Sequence, residues 1–123
     1  SFMKILFVDD DYSRLQEFKR HNPDVDITWC QDYAEAYDAL VNTDTYWGLI
    51  MLDYDLGPKD TVMPFVNLLT EIKILIQNSH ILIHSTNPFG AADIIKQLAL
   101  YDINCSYIPG AFLFDIKRWA YWN

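Results

Sequence analysis

Glycine, proline and cysteine are scarce in this chain of 123 residues. Its 4 glycines and 5 prolines are too few for a disordered linker or a fibrous repeat. Its 2 cysteines, Cys30 and Cys105, form neither a CxxC pair nor the spacing of a zinc site. We therefore expect two unpaired core thiols, as in a cytoplasmic protein kept in a reducing environment.

Basic residues and long apolar runs are also scarce. There are 9 Lys and Arg against 17 Asp and Glu, a formal net charge of -8, and a surface of that sign repels duplex nucleic acid. A phosphate-containing small molecule or nucleotide stays compatible with this charge if a metal ion reverses the local sign. No apolar run reaches the roughly 18 residues of a membrane span, and no secretory signal is recognisable, so we expect no membrane contact.

Apolar residues, by contrast, make up 51% of the sequence, enough for the core of one domain. We expect that single domain to occupy residues 4–123. Residues 1–3 read Ser-Phe-Met, and we interpret them as a tag remnant followed by a start methionine.

Five short strand-like segments alternate with segments of helical periodicity. The apolar runs at 4–8, 49–52 and 81–83, the alternating β-rich segment 26–30 and the segment 105–108 indicate strands. The helical segments lie at 12–21, 33–40, 65–76, 91–101 and 112–119. Uninterrupted apolar strands between amphipathic helices are typical of a parallel sheet covered on both faces. Right-handed crossovers then favour an α/β, doubly wound, flavodoxin-like sheet of five strands in the order 2-1-3-4-5.

Acidic residues follow two of these strands. Asp9, Asp10 and Asp11 come after the first strand, and Asp53 comes after the third. Ligands of such a sheet bind beyond the carboxyl ends of the strands, where the strand order reverses, here between strands 1 and 3. Carboxylates held together repel, and a hard divalent cation such as Mg²⁺ or Mn²⁺ relieves the repulsion. We expect Asp9, Asp10 and Asp53 to bind that cation, with Asp53 either a ligand only or also a nucleophile toward phosphorus. Asp11 is also suited to cap the next helix.

A polar stretch, His-Ser-Thr-Asn, follows the fourth strand at 84–87. We expect His84 to act as a general acid or base, because imidazole titrates near neutral pH. Ser85 and Asn87 are expected to hydrogen-bond phosphoryl oxygens. In the alternative interpretation the stretch is a plain loop, with Thr86 or Asn87 as a helix N-cap and His84 as a packed side chain.

A proline and a glycine complete this stretch before the next helix. Asn87 precedes Pro88, which disfavours helical conformation at Asn87. Gly90 permits a positive φ or the close approach of a ligand. The helix expected to begin near Ala91 would present free backbone N–H groups to a bound anion.

Three sequence features resemble the receiver domain of bacterial response regulators: FVDDD at 7–11, LDYDLG at 52–57, and the hydroxyl residue Ser85. The resemblance implies Mg²⁺ binding by Asp9, Asp10 and the backbone carbonyl of Asp55. It also implies phosphorylation of Asp53, with Ser85 as the hydroxyl that responds to it.

One feature departs from those receivers. They carry a lysine before the proline that ends the fifth strand, and this chain has Ile108 before Pro109. An acyl phosphate on Asp53 would therefore lack its usual charge partner.

The motifs LDYDLG at 52–57 and HSTNPFG at 84–90 resemble more closely the cyclic-phosphate processing receiver domains, whose motifs read LDHDLG and HSxNPxG. This resemblance covers the whole chain and implies metal-dependent chemistry on cyclic phosphates. Tyr54 stands where that group has histidine, so the role of that histidine is either lost or taken by the Tyr54 hydroxyl.

These features leave three functions open. The first is a Mg²⁺-dependent phosphodiesterase or phosphohydrolase that processes a cyclic phosphate or phosphoester. The second is an atypical single-domain receiver that signals through a protein partner, and the third is a non-catalytic nucleotide-binding module. The aromatic tail with Trp119, Tyr121 and Trp122 is expected to pack on the last helix or a sheet edge, a dimer patch being the alternative.

Overall fold

A computed structural model describes the backbone of residues 3–122 and the side chains of residues 3–119. Five parallel strands form one sheet in the order β2-β1-β3-β4-β5, which confirms the predicted topology. The strands are β1 (Lys4–Val8), β2 (Asp26–Cys30), β3 (Leu49–Leu52), β4 (His80–Ile83) and β5 (Ser106–Tyr107). Ser1 and Phe2, the expected tag remnant, lie outside the described residues.

Five α-helices connect and cover these strands. They are α1 (Tyr12–His21), α2 (Tyr33–Val41), α3 (Met63–Glu71), α4 (Pro88–Ala99) and α5 (Ile116–Trp122), with short 3-10 turns at Lys73–Leu75 and Ala111–Leu113. The long helix expected at 65–76 is therefore wrong in its second half, because α3 ends at Glu71 and a 3-10 turn follows. The expected start of α4 near Ala91 is also wrong: Pro88, whose fixed φ suits the first helical position, begins the helix.

The three central strands, β1, β3 and β4, are buried on both faces, as their apolar runs predict, whereas the edge strands β2 and β5 are mostly half-exposed. Leu6 and Val8 of β1 point into one hydrophobic cluster with α2, α3 and α4. Ile5 and Phe7, which alternate with them along β1, point to the opposite face and into a second cluster with α1 and the chain around α5. Trp119 of α5 packs against this second cluster, as expected of the aromatic tail. The side chains of Tyr121 and Trp122 lie outside the described part.

Both cysteines are free, as the sequence predicts. Cys30 is buried and Cys105 is half-buried. Burial raises the pKa of the Cys30 thiol to about 12. Within residues 3–122, none of the helices is both long enough and apolar enough to cross a membrane.

The start of α1 is fixed by an acidic cap. The Asp11 carboxylate accepts hydrogen bonds from the backbone N–H groups of Ser13 at 2.8 Å and Arg14 at 3.2 Å, so the predicted capping role of Asp11 is confirmed. An N-cap carboxylate satisfies N–H groups that have no partner within the helix. The cap also fixes the first turn of α1 beside the end of β1, and that turn carries Arg14.

Candidate metal and phosphate site

Three neighbouring strands end in polar side chains at the same edge of the sheet. Asp9 follows β1, Asp53 follows β3 and His84 follows β4. Backbone hydrogen bonds extend the ladder by one residue, from Asp53 N to Val8 O at 2.9 Å and from His84 N to Leu52 O at 3.0 Å. One ligand atom from each of Asp9, Asp53 and His84 lies within 4.8 Å of the others, and all three residues are buried. The structure thus brings together three of the residues that the sequence predicts for one site.

Asp9 is the centre of the cluster and is fully buried. Its Oδ1 accepts hydrogen bonds from the Asp11 backbone N–H and from Arg14 Nη2, both at 2.9 Å. Its Oδ2 accepts one from Arg14 Nε at 2.8 Å and pairs with His84 Nε2 at 2.9 Å. Burial by itself would raise the pKa of Asp9, but the hydrogen bonds from His84 and Arg14 outweigh it and hold that pKa below its ordinary value. Asp9 is therefore a carboxylate, and Nε2 of His84 is the protonated nitrogen that donates to it.

Arg14 is the cation of the site and is absent from the residues that the sequence predicts for it. Besides its paired contacts with Asp9, its Nη2 lies 3.3 Å from Asp53 and 3.7 Å from Asp10, and its Nη1 lies 3.1 Å from Asp11. The hydrogen bonds to Asp9 raise the pKa of the guanidinium further above its ordinary value. The signal that could have found Arg14 is its spacing of three and four residues from Asp11 and Asp10, which places it on their side of the helix.

His84 is a buried side chain beside Asp9. Its side chain is 1% exposed, stacks on Phe7 with ring centroids 4.8 Å apart, and meets the edge of Phe112 at 6.2 Å. Its Nδ1 has no hydrogen-bond partner among the described residues. The imidazole is thus enclosed by Phe7, Phe112 and Asp9, and its hydrogen bond runs to Asp9.

The side chains of Asp53 and Asp10 accept fewer hydrogen bonds than that of Asp9. Burial, reinforced by the negative charge of Asp9, raises the pKa of Asp53 to about 6. Asp10 is at the rim, with a side chain 37% exposed. Partial burial also raises the pKa of Asp10. Both carboxylates thus keep oxygen lone pairs for a ligand at the mouth of the crevice.

The raised pKa of Asp53 predicts a pH-dependent gain in stability for Asp53→Asn in metal-free protein. An acid whose folded pKa exceeds its unfolded pKa destabilises the fold once both states are ionised. The penalty is absent below about pH 4, grows between about pH 4 and 6, and is constant above that range. We expect Asp53→Asn to be more stable than the wild type by about 1–3 kcal/mol at pH 8 and equal to it at pH 4.

Urea unfolding in the presence of a chelator measures this difference. Asp44→Asn, a change at an exposed loop residue, is the matched control and should leave stability unchanged at both pH values. If Asp53→Asn is instead less stable than the wild type at pH 8, the ionised Asp53 carboxylate does not destabilise the fold, and the prediction is wrong.

Both polar atoms of the Asn87 side chain form hydrogen bonds within the protein. Its Oδ1 accepts the Gly90 backbone N–H at 3.0 Å, which confirms the alternative prediction that it caps α4. Its Nδ2 donates to Asp55 Oδ2 at 3.2 Å, and its backbone N–H donates to the buried Ser85 Oγ at 3.1 Å. Pro88 has no N–H, so the first turn of α4 offers fewer donors to an anion than the sequence suggests. Asp55, Ser85 and Asn87 thus form one bonded group beside the cluster of Asp9, Asp53 and His84.

A glycine is required at position 90 because the neighbouring Tyr54 ring leaves no room for a Cβ, and not because the backbone angle is unusual. Gly90 lies in the first turn of α4, and the glycines with positive φ are Gly57 and Gly110, so of the two roles suggested for Gly90 the positive φ does not apply. A Cβ added at Gly90 would lie 2.3 Å from Cγ of Tyr54, closer than packed atoms allow. The close approach allowed by Gly90 is therefore that of the Tyr54 ring, which packs against the helix.

Gly90→Ala is expected to destabilise the protein by about 1–3 kcal/mol, because the Tyr54 ring has to move. In a Tyr54→Ala background the same change should become neutral or favourable by up to about 1 kcal/mol, because alanine is the better helix former. Urea unfolding of the four proteins gives both values. An equal cost in both backgrounds would show that Tyr54 is not the obstacle.

Comparison with known proteins places these motifs in a family. The model of a family described as "Cyclic-phosphate processing Receiver domain" matches residues 4–99, which contain Asp9, Asp53 and His84. A search of curated proteins finds no match to this sequence.

Solved structures similar to this chain include receivers. The phosphorylated cyanobacterial phytochrome response regulator RcpA is 22% identical, with a TM-score of 0.70 over 98% of this chain and 91% of that chain. An adenylate cyclase from Rhodopirellula baltica is 21% identical, with a TM-score of 0.70 over 98% of this chain and 84% of that chain. The chemotaxis protein CheY4 of Vibrio cholerae is 17% identical, with a TM-score of 0.68 over 98% of both chains. At such identities the likeness concerns the fold alone.

Proposed function

Because the chain belongs to the family of cyclic-phosphate processing receiver domains, we propose that it hydrolyses a cyclic phosphate ester with Mg²⁺ or Mn²⁺ as cofactor. Water adds to phosphorus, one ester P–O bond breaks, and the departing oxygen takes up a proton. The product is a phosphomonoester that carries a free hydroxyl group. The observation that carries the proposal is the buried convergence of Asp9, Asp53 and His84 within 4.8 Å.

The donor set suits a hard divalent cation, with one condition. Carboxylate oxygens are the ligands that Mg²⁺ prefers, and Asp53 and Asp10 have lone pairs available at the crevice. Four carboxylates face a single guanidinium, so the local charge remains strongly negative. Both oxygens of Asp9, however, already accept two hydrogen bonds each. A cation that binds Asp9 must therefore replace the Arg14 guanidinium there.

The cation, when bound, supplies charge stabilisation for a phosphoryl oxygen and acidifies a water molecule. Asp9, Asp10 and Asp53 would hold it at the edge of the sheet. Asp53, whose pKa is raised by burial, would take the proton of the attacking water or attack phosphorus itself. His84 would hold Asp9 ionised and correctly oriented through its Nε2–H, as a positioning residue.

The substrate-binding side of the site involves the second group of polar residues. Ser85 and Asn87 are placed beside the cluster, but binding a phosphoryl oxygen would require Asn87 to release Asp55. The Tyr54 hydroxyl would replace the histidine that the family carries at this position. A backbone carbonyl from Asp55 would complete the metal site, as the resemblance to receivers implies.

The end of β5 favours hydrolysis over stable phosphorylation of Asp53. Ile108 stands where receivers have lysine, its N–H extends the ladder to Ile83 O at 3.0 Å, and its side chain packs against the core. No cation therefore comes from this strand to hold an acyl phosphate. The signalling alternative keeps one observation in its favour, since Arg14 Nη2 lies 3.3 Å from Asp53 and offers a positive charge from α1.

Phosphorus NMR tests the proposal and its alternative in one design. The wild type, Asp53→Asn and the exposed control Asp44→Asn are incubated with Mg²⁺ and a panel of 2′,3′-cyclic and 3′,5′-cyclic nucleotides. Phosphomonoester should accumulate with the wild type and the control only, and should stop when a chelator is added. If no cyclic phosphate changes, while beryllofluoride perturbs the wild type but not Asp53→Asn, the signalling function replaces the enzymatic one. Binding of a nucleotide without either response would identify a non-catalytic module.

A further inference from the structure

We propose that Arg14 is an exchangeable counter-ion: it occupies the acidic crevice of the metal-free protein, leaves Asp9 and Asp53 when a divalent cation enters, and then binds the phosphoryl group of the substrate. The inference rests on the proposed function in one respect, namely that a cation uses these carboxylates. It assigns to a residue of α1 the charge that other receivers supply from the fifth strand.

The guanidinium and a bridging cation compete for the same oxygens. Arg14 Nε and Nη2 bind both oxygens of Asp9 at 2.8 and 2.9 Å, and Nη2 also lies 3.3 Å from Asp53 Oδ2. The group therefore lies between the ends of β1 and β3, where Asp9 and Asp53 would hold a cation. Two cations at that spacing repel strongly in a partly buried site, so the two states exclude each other.

The charges of the crevice favour the exchange. Arg14 contacts four acids, and only one of their negative charges is neutralised by it. A divalent ion neutralises two of these charges, and its small radius suits carboxylate ligands. Its arrival therefore lowers the repulsion among the acids more than the guanidinium does.

Arg14 has a position to which it can retreat. Its side chain is 30% exposed, and its Nη1 already contacts Asp11 Oδ2, at the outer side of the crevice, at 3.1 Å. Asp11 stays in place because it caps α1 through Ser13. Rotation of the Arg14 side chain alone can thus exchange Asp9 for Asp11, with no movement of the helix.

The released guanidinium is suited to a phosphoryl group. Its paired N–H donors match two phosphoryl oxygens better than an ammonium does. With Ile108 at the end of β5, Arg14 is the cation that the described structure places against Asp53. Metal binding therefore converts Arg14 from a competitor of the cation into a ligand of the substrate, which makes phosphate affinity depend on the metal.

Mn²⁺ binding, followed by electron paramagnetic resonance, tests the exchange without any need for turnover. Arg14→Gln should bind Mn²⁺ at least about tenfold more tightly than the wild type, because the competing cation is gone. Arg20→Gln is the matched control, since Arg20 lies on the exposed side of the same helix and pairs with Glu17, and it should bind like the wild type. Arg14→Lys, which keeps the charge but not the paired geometry, should lie in between. Urea unfolding verifies that each variant is folded.

Inorganic phosphate tests the second half of the proposal. At saturating Mn²⁺, the wild type and Arg20→Gln should bind phosphate about tenfold more tightly than Arg14→Gln, and this difference should vanish without Mn²⁺. Unchanged or weaker Mn²⁺ affinity in both Arg14 variants would overturn the exchange, yet leave the proposed metal site intact if Asp53→Asn alone loses the ion. Equal phosphate affinity in all variants would overturn the assignment of Arg14 to the phosphoryl group. Absence of Mn²⁺ binding in every protein would overturn both the exchange and the proposed function.

Discussion

Asp9→Asn is expected to destabilise the protein by about 3–5 kcal/mol, whereas Asp10→Asn, one residue along, should leave its stability nearly unchanged. Asp9 is fully buried and accepts hydrogen bonds from Arg14, His84 and a backbone N–H. An asparagine there turns one acceptor oxygen into an amide donor that faces other donors. It also leaves the partly buried guanidinium without its main partner.

Asp10 provides the control because the same chemical change is made in a different environment. Its side chain is 37% exposed, and its contact with Arg14 at 3.7 Å is long. Because partial burial raises the pKa of Asp10, loss of its charge removes repulsion rather than support.

The pH dependence of the Asp9 effect has a definite sign. Its hydrogen bonds from His84 and Arg14 depress the Asp9 pKa, so its stabilising contribution is present above the ordinary aspartate value of about 3.9 and is lost as the pH falls below it. Urea unfolding in a chelator should therefore show a large gap between wild type and Asp9→Asn at pH 7 that narrows toward pH 3. Equal losses from Asp9→Asn and Asp10→Asn would contradict the central position of Asp9.

His84→Ala is expected to lower turnover by about 10–100-fold and to destabilise the fold by about 3 kcal/mol. The change empties a space against Phe7 and removes the donor to Asp9 Oδ2. His84→Gln keeps an N–H donor that can reach Asp9 but does not titrate near neutral pH. Because the imidazole is 1% exposed and bonded to Asp9, we expect the glutamine variant to retain most of the activity.

The pH profile of turnover separates positioning from proton transfer. If His84 positions Asp9, the profile of His84→Gln keeps the shape of the wild-type profile at a somewhat lower rate. If His84 itself donates or accepts the proton, His84→Gln is as inactive as His84→Ala and loses one limb of the profile. The second outcome would overturn the positioning role.

The fold could be predicted because its central strands are buried on both faces. Runs such as KILFV at 4–8 and LIML at 49–52 contain no polar alternation, and short runs of this kind between helical segments are typical of a covered parallel sheet. Topology then placed Asp9, Asp53 and His84 at one edge before any distance was known. Helix limits were less predictable, because Asn87 and Pro88 look like a loop in sequence and act as the cap and first residue of α4.

The contacts that complete the site depend on side-chain directions, which the periodicity of apolar residues in the sequence does not reveal. The spacing of Arg14 from Asp10 and Asp11 brings it near these acids, but its hydrogen bonds to the buried Asp9 are visible only in the structure. Tyr54 and Gly90 meet across 36 positions of sequence, so no local pattern connects them. The same holds for Asn22, expected only to end α1, whose buried side chain also bonds Phe114 O and the Ile116 N–H.

Diffraction from crystals soaked in Mn²⁺ would locate the cation relative to Asp9, Asp53 and Arg14. We expect one anomalous peak between the ends of β1 and β3, beside carboxylate oxygens of Asp53 and Asp9, with the Arg14 guanidinium moved toward Asp11. A map with no peak at this edge of the sheet, and with the guanidinium still bridging Asp9 and Asp53 at millimolar Mn²⁺, would contradict this expectation.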